Sequence, residues 1–505
     1  MQPKSQNVCQ QCRSRKLGCD GKVPACSQCA LRCIPCGGYP QDFVFVSQMN
    51  SSALESTSLW RTSANLTTHR KQPSKQIKVI NTHQASHSGV TNANTSGPTT
   101  EITCSDLEHD ICFIVKSYSP LYSSMPAESN PWHNQICGAW VEALPLLFAR
   151  GQMEDFLASS IMSFAAALRH HCLGSDAIPP QALELYCKSL RLVSVALQTA
   201  NGILQVEHCA AIMCLAVTEL VFPTSESSWM KHATAVESFI QRVGPVPFAT
   251  SILHKLFVGF RPLLLINSLL NRRRTFLAQQ EWTTQPFQGQ PISLMQSLLS
   301  KAACLPALLE RCTDLGISVD VVDPAALEHV MIDLITVQKG FQTWESTARS
   351  KSSSPLSWKR LDADQHFARD ENDLWFPDVM TANSLMYCWA FEIVVLKHLS
   401  FLSKIFEAKE PSGKLTCVKF TSRTLLRHKS VELAEMICDS MAYAMQPDMK
   451  LWGPASAFFT FRTALWTFND NKADCRSQLL RCQRIVDELA KRRIIFPEAH
   501  EFFSE

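Results

Sequence analysis

Beyond residue 105 apolar side chains recur every three or four positions, with Pro and Gly punctuating the runs. This spacing predicts helices at 106–118, 134–148, 153–172, 180–199, 206–221, 226–243 and 249–276. The 180–199 run shows the pattern most plainly. Pro179 and Pro180 open it, Leu183, Tyr186, Leu190, Val193 and Leu197 form one apolar face expected to be buried, and Gly202 stands past its end. Further helices are predicted at 291–304, 325–343, 378–406, 421–445, 455–468 and 473–492. The polar interval 346–373 breaks the series and reads as a mobile loop. Strict apolar–polar alternation never runs long enough for a sheet, so the chain is expected to be mostly α, with a large all-α domain at 106–505.

Upstream the pattern fails. Residues 47–105 are rich in Ser, Thr, Asn, Gln and His and hold too few large apolar groups to offset the entropy of ordering them; a disordered linker is expected. No a/d heptad survives between residues 41 and 100, so a monomer or weak homodimer is expected rather than a coiled-coil dimer.

Residues 1–46 carry a different signal. Cys9, Cys12, Cys19, Cys26, Cys29 and Cys36 fall at C-x2-C-x6-C-x6-C-x2-C-x6-C, so one spacing occurs twice. A C-x2-C pair can turn two sulfurs toward a single tetrahedral zinc at about 2.3 Å. Each half then offers three thiolates to an ion that takes four ligands, and six sulfurs satisfy two zincs if two of them bridge both metals. The charge left over is negative, and the basic residues between the ligands can offset it. A single four-cysteine zinc site with two bystanders is the alternative. Disulfides fit less well, because no secretory signal precedes the run and intracellular thiols stay reduced. Cys33 competes with Cys36 for the last position, but only Cys29-x6-Cys36 repeats the Cys12-x6-Cys19 interval.

Residues 9–36, CQQCRSRKLGCDGKVPACSQCALRCIPC, resemble the fungal Zn2Cys6 binuclear zinc-cluster transcription factors. The resemblance implies two Zn²⁺ ions per chain, held by the six cysteines, with the first and fourth, Cys9 and Cys26, as the bridges. It implies a short helix after each C-x2-C pair, the first of them reaching base edges in the major groove of double-stranded DNA, usually at a CGG triplet. Lys16 matches the base-reading lysine of that family, and a lysine can donate to O6 and N7 of guanine. Arg13 and Arg15 flank it and suit phosphate contacts, which position a module without reading sequence. Pro24 matches the loop proline before the fourth cysteine, while Gly18 stands where many members carry a second lysine. The body in turn resembles the fungus-specific regulatory domain found behind such clusters, through Trp229-x2-His232, Val243-Gly244-Pro245 and the stretches 261–273 and 276–282. That domain is held to receive effectors or partner proteins. Ala235 stands where the family often has glycine, and Trp229 and His232 at helical spacing also fit plain core packing.

Charge and composition agree with a basic head on a near-neutral body. The net charge is +3 over 505 residues, yet residues 1–40 hold Lys4, Arg13, Arg15, Lys16, Lys22 and Arg32 against Asp20 alone. The remaining cysteines lie scattered in apolar stretches, as small hydrophobes in a reducing compartment do. No membrane span is expected, because Arg261 interrupts the apolar run 256–270, and Glu392 and Lys397 interrupt 384–402. A nuclear, soluble protein follows.

An enzyme finds no foothold. H-E-x-x-H, G-x-S-x-G and Gly-rich phosphate loops are missing from the sequence. The acids Asp106, Glu108 and Asp110, and Asp362, Asp364, Asp370, Glu371 and Asp373, could suggest a magnesium diphosphate site but read better as solvated charges. The adjacent His170 and His171 would point about 100° apart on a helix. Two readings of function stand: a sequence-specific regulator of RNA polymerase II genes, with transcriptional co-regulators or a small-molecule effector acting on the body, and a zinc-containing interaction or sensor protein whose cluster does not read bases.

Overall fold

The computed structural model describes residues 104–120, 139–151, 153–173, 179–200, 205–225, 227–317, 323–359, 372–409 and 422–494 of the body. Of the amino-terminal module it describes Cys12, Arg15, Cys19, Asp20, residues 26–32 and Ile34. The chain divides into two units, residues 1–99 and 100–505. The linker expected at 47–105 lies outside the described residues, apart from its last two positions.

Helix α1 (Ser27–Leu31) belongs to the amino-terminal unit. The body begins with α2 (Cys104–Tyr118), a 3-10 turn (Ala139–Glu142) and α3 (Ala143–Phe148), followed by α4 (Asp155–Leu173), α5 (Pro180–Thr199), α6 (Val206–Val221) and α7 (Ser228–Val243). In this half α4 is the central rod, with α2, α5 and α6 packed around it and α7 against α6. The predicted α5 face is buried at Tyr186 and Val193 and half-buried against the core at Leu190 and Leu197, with Leu183 the exception. Ala182, Tyr186, Ser189 and Val193 are buried, whereas Leu183 is 42% exposed. Ser189 adds a polar contact to this face: its hydroxyl meets Ser159 Oγ at 2.9 Å and donates to the Ser159 carbonyl at 2.8 Å, so small polar residues bring α4 and α5 together. A hydrophobicity pattern passes over such a serine.

Next comes α8 (Ser251–Leu270), shorter than the predicted 249–276. Its end is a Schellman closure, in which Arg272 takes φ +46, its N–H donates to Leu269 O at 3.1 Å, and Arg273 N–H donates to Ser268 O at 3.1 Å. An arginine in the usual glycine position hid this stop. Gly259 of α8 lies where a side chain has no room, because a Cβ there would stand 2.7 Å from the backbone nitrogen of the buried Trp140. Gly259→Ala is therefore expected to cost about 1–3 kcal/mol through overpacking. A denaturation midpoint equal to the parent's would refute this close approach.

The short α9 (Gln280–Thr284) leads to α10 (Leu294–Ala302) and α11 (Leu305–Ile317). The predicted 291–304 helix corresponds to α10 alone, and α11 escaped prediction. Pro306 carries no N–H to continue the α10 ladder, so a separate helix starts there. Helix α12 (Pro324–Lys351) overruns its predicted end and claims the first part of the polar interval. Trp344 packs into the core, and Arg349 bonds Glu345 one turn away at 2.7 Å, so a largely polar surface still forms helix. Two short strands follow, β1 (Trp358–Lys359) and β2 (Leu374–Trp375), paired antiparallel. The residues between 360 and 371 are outside the described set.

The long α13 (Val379–Lys409) is the axis of the second half, and α10, α12, α14 (Arg423–Ala444) and α16 (Phe458–Asp470) pack on it. The short α15 (Trp452–Ser456) precedes α16, and α17 (Arg476–Lys491) follows it. Both α8 and α13 are long and apolar enough to cross a membrane by length and composition, in spite of Arg261, Glu392 and Lys397. Their placement differs from that of a span, since 83% of the α8 window and 94% of the α13 window lie buried inside the body. One continuous core joins both halves.

Candidate metal centre and nucleic-acid interface

Three of the predicted ligands converge. Cys12, Cys26 and Cys29 are buried, with their sulfurs within 4.8 Å of one another. Cys12 Sγ and Cys26 Sγ are 3.6 Å apart, well beyond the roughly 2.05 Å of a disulfide. A zinc tetrahedron with arms of about 2.3 Å has edges of about 3.8 Å, so this separation suits two sulfurs on one ion. Cys26 also caps α1: its sulfur accepts the Cys29 N–H at 3.4 Å, and its carbonyl accepts the Ala30 N–H at 3.0 Å. The helix thus starts inside the C-x2-C pair rather than after it, and its first turn sets both sulfurs on one side.

Cys26 belongs to a second group as well. Its sulfur lies within 4.8 Å of donor atoms of Cys19 and Asp20. Among the described residues the fourth cysteine is the one common to both groups, within range of Cys12 and Cys19 from the first half and Cys29 from the second. Ile34 packs against this cluster, and its N–H closes the turn on Cys29 O at 3.2 Å. Arg15 is exposed, as a phosphate-contacting side chain has to be. Cys9, Cys36, Arg13 and Lys16 lie outside the described residues, as do Gly18, Pro24 and Cys33. The donor set present, three buried thiols with one pair at tetrahedral-edge spacing, fits zinc.

Two features here were not legible in the motif. Asp20 bonds Ser27 across the module, accepting the backbone N–H at 3.0 Å and the hydroxyl at 2.6 Å. In the body, His232 is buried, and its Nε2 lies 3.0 Å from the hydroxyl of Tyr186, which donates to Glu219. Glu219 further accepts the backbone N–H of Thr224 at 2.8 Å and its hydroxyl at 2.7 Å. Burial, followed by the nearby Lys231, pushes the His232 imidazole down to about 4, so it is neutral near pH 7. Trp229 packs half-buried against the core. This network ties α5, α6 and α7 together, and it accounts for the Trp229-x2-His232 spacing by packing.

Of the acidic sets, Asp106, Glu108, Asp110 and Asp373 are described, and Asp362, Asp364, Asp370 and Glu371 lie outside the described residues. Asp110 pairs with Arg169 at 2.5 Å, Asp106 and Glu108 face solvent, and Asp373 pairs with Arg481 at 3.1 Å.

Residues 7–43 match the fungal Zn(2)-Cys(6) binuclear cluster domain, and residues 112–385 match the fungal specific transcription factor domain, the latter over more than half of the chain. The chain belongs to this fungal transcription factor family. Its cofactor is zinc, two ions in the binuclear cluster domain, and it is a DNA-binding transcription factor. No curated protein and no solved structure matches the chain. In this fungal transcription factor the match ends inside α13, yet α14 and α16 pack on that same helix, so the core continues past the matched residues.

Proposed function

We propose that this protein regulates RNA polymerase II genes in the nucleus by reading CGG-like triplets through its zinc module. Cys9, Cys12, Cys19, Cys26, Cys29 and Cys36 hold the two zinc ions, Cys9 and Cys26 as bridges. The ions supply fold rather than reactivity, since a module this small lacks the apolar core to hold its own shape. Lys16 donates to guanine edges in the major groove, and Arg13 and Arg15 take phosphates. Residues 1–46 act as the DNA-binding domain, 47–105 as a disordered linker, and 106–505 as the regulatory body on which co-regulators or a small-molecule effector act. The observation that carries this reading is the position of Cys26, whose sulfur stands in both donor groups of a module with an exposed basic residue between its ligands.

The test is binding of the zinc-loaded chain to CGG-containing and scrambled duplexes across a salt series. Lys16→Ala is expected to lose about 1–3 kcal/mol on the CGG duplex and little on the scrambled one, with affinity falling steeply as salt rises. Equal binding of both duplexes by the parent protein would instead support a zinc module that makes protein contacts without reading bases.

A further inference from the structure

Asp20 and Ser27 each follow a predicted zinc ligand directly, Cys19 and Cys26. The carboxylate of Asp20 accepts twice from Ser27, through Oδ1 from the backbone N–H at 3.0 Å and through Oδ2 from the hydroxyl at 2.6 Å. This clasp closes a ring over residues 20–27 that contains Cys26 and is adjoined by Cys19, and so it limits how far the Cys19 sulfur can stray from the Cys26 sulfur. One end is the loop of the first half; the other is the first residue of α1 in the second half.

A carboxylate so placed has two conceivable roles. Asp20 lies within donor range of Cys19 and Cys26 and could itself bind metal. Its hydrogen bonds favour the other role, because both oxygens are already directed at Ser27. Thiolates are also the softer ligands and are preferred by zinc when enough of them are present.

We infer that Asp20 is a positioning residue of the metal centre, holding Cys26 where its sulfur can serve both halves of the cluster, without touching zinc itself. The inference rests on the two-zinc reading above. A residue of this kind acts on how firmly metal is held rather than on how many ions bind, and losing such support costs about 10–100-fold in metal affinity.

The chemistry of the clasp selects the variants. Asp20→Ala removes both acceptors. Ser27→Ala removes the hydroxyl bond and leaves the backbone one. Asp20→Asn keeps an acceptor for the N–H, and its amide can donate to the Ser27 oxygen, so the clasp survives with one bond reversed.

The experiment measures zinc per full-length chain by native mass spectrometry, and zinc release to excess chromogenic chelator by stopped flow. The parent and all three variants should carry two ions. Release should be at least about tenfold faster for Asp20→Ala, faster by a smaller factor for Ser27→Ala, and close to parental for Asp20→Asn. The Asp20→Ala/Ser27→Ala double variant should release no faster than Asp20→Ala. Parental release from Asp20→Ala would overturn the inference. So would loss of one ion from both Asp20→Ala and Asp20→Asn, which would make Asp20 a ligand. If Asp20→Ala does not fold, Ser27→Ala and Asp20→Asn still separate the two roles. Fewer than two ions on the parent chain would overturn the two-zinc reading, and the positioning role with it.

Discussion

Replacing Cys26 with serine is expected to strip the chain of both zinc ions rather than one. Its sulfur lies within donor range of Cys12 and Cys19 of the first half and of Cys29 of the second, and in the proposed reading it bridges both metals, so its loss takes a ligand from each ion. A serine hydroxyl does not ionise near neutral pH and cannot replace a bridging thiolate. Structural zinc in small domains contributes about 10–16 kcal/mol of apparent binding free energy at pH 7, and this is the folding free energy of the module. Residues 1–46 should therefore unfold, and affinity for any CGG duplex should fall to the level of scrambled DNA. Native mass spectrometry under reducing conditions reads the metal count, and a gel-shift titration reads the DNA. A Cys26→Ser chain that keeps one ion firmly would sink the shared-sulfur reading. The thermal transition of the body should stay where it is, because the substitution lies in the other unit.

Trp389→Ala should do the converse, weakening the body and sparing the metal. Trp389 sits fully buried on α13, and its indole N–H donates to Glu345 Oε2 of α12 at 3.2 Å. Truncating a buried aromatic costs about 3–5 kcal/mol, from lost apolar burial and the cavity left behind. Glu345 keeps its bond to Arg349, so the carboxylate is not stranded and the cavity dominates. Against a typical domain stability of about 5–15 kcal/mol this is a large fraction. Denaturation followed by circular dichroism should show a markedly lower midpoint, with two zinc ions still bound. An unchanged midpoint would mean that α13 is not the axis of the body.

Most of the helices, and the chemistry of the amino-terminal cysteines, could be read along the chain because both depend on neighbours a few residues apart. The i, i+3, i+4 recurrence places α4, α6 and α13 with small errors at their ends, and C-x2-C-x6-C names a thiolate metal site without any fold in hand. Failures cluster where a local cue was absent or misleading. Arg272 ended α8 in place of a glycine, α11 with Pro306 in its first turn was not foreseen, and a salt bridge with a buried tryptophan carried α12 through a polar stretch. On the α5 face Ser189 was passed over because it is polar by type and buried by partnership.

Sequence alone determined the all-α class of the body, the basic head and a thiolate zinc chemistry, since periodicity, charge and ligand spacing are properties of short segments. Tertiary structure alone decided that Cys26 lies within donor range of Cys12 and Cys29 and of Cys19 and Asp20, that Asp20 clasps Ser27, that Tyr186, Glu219 and His232 share one network, and that α8 and α13 lie inside protein. Each of these depends on the distance between side chains on separate elements, which packing sets and no interval along the chain encodes.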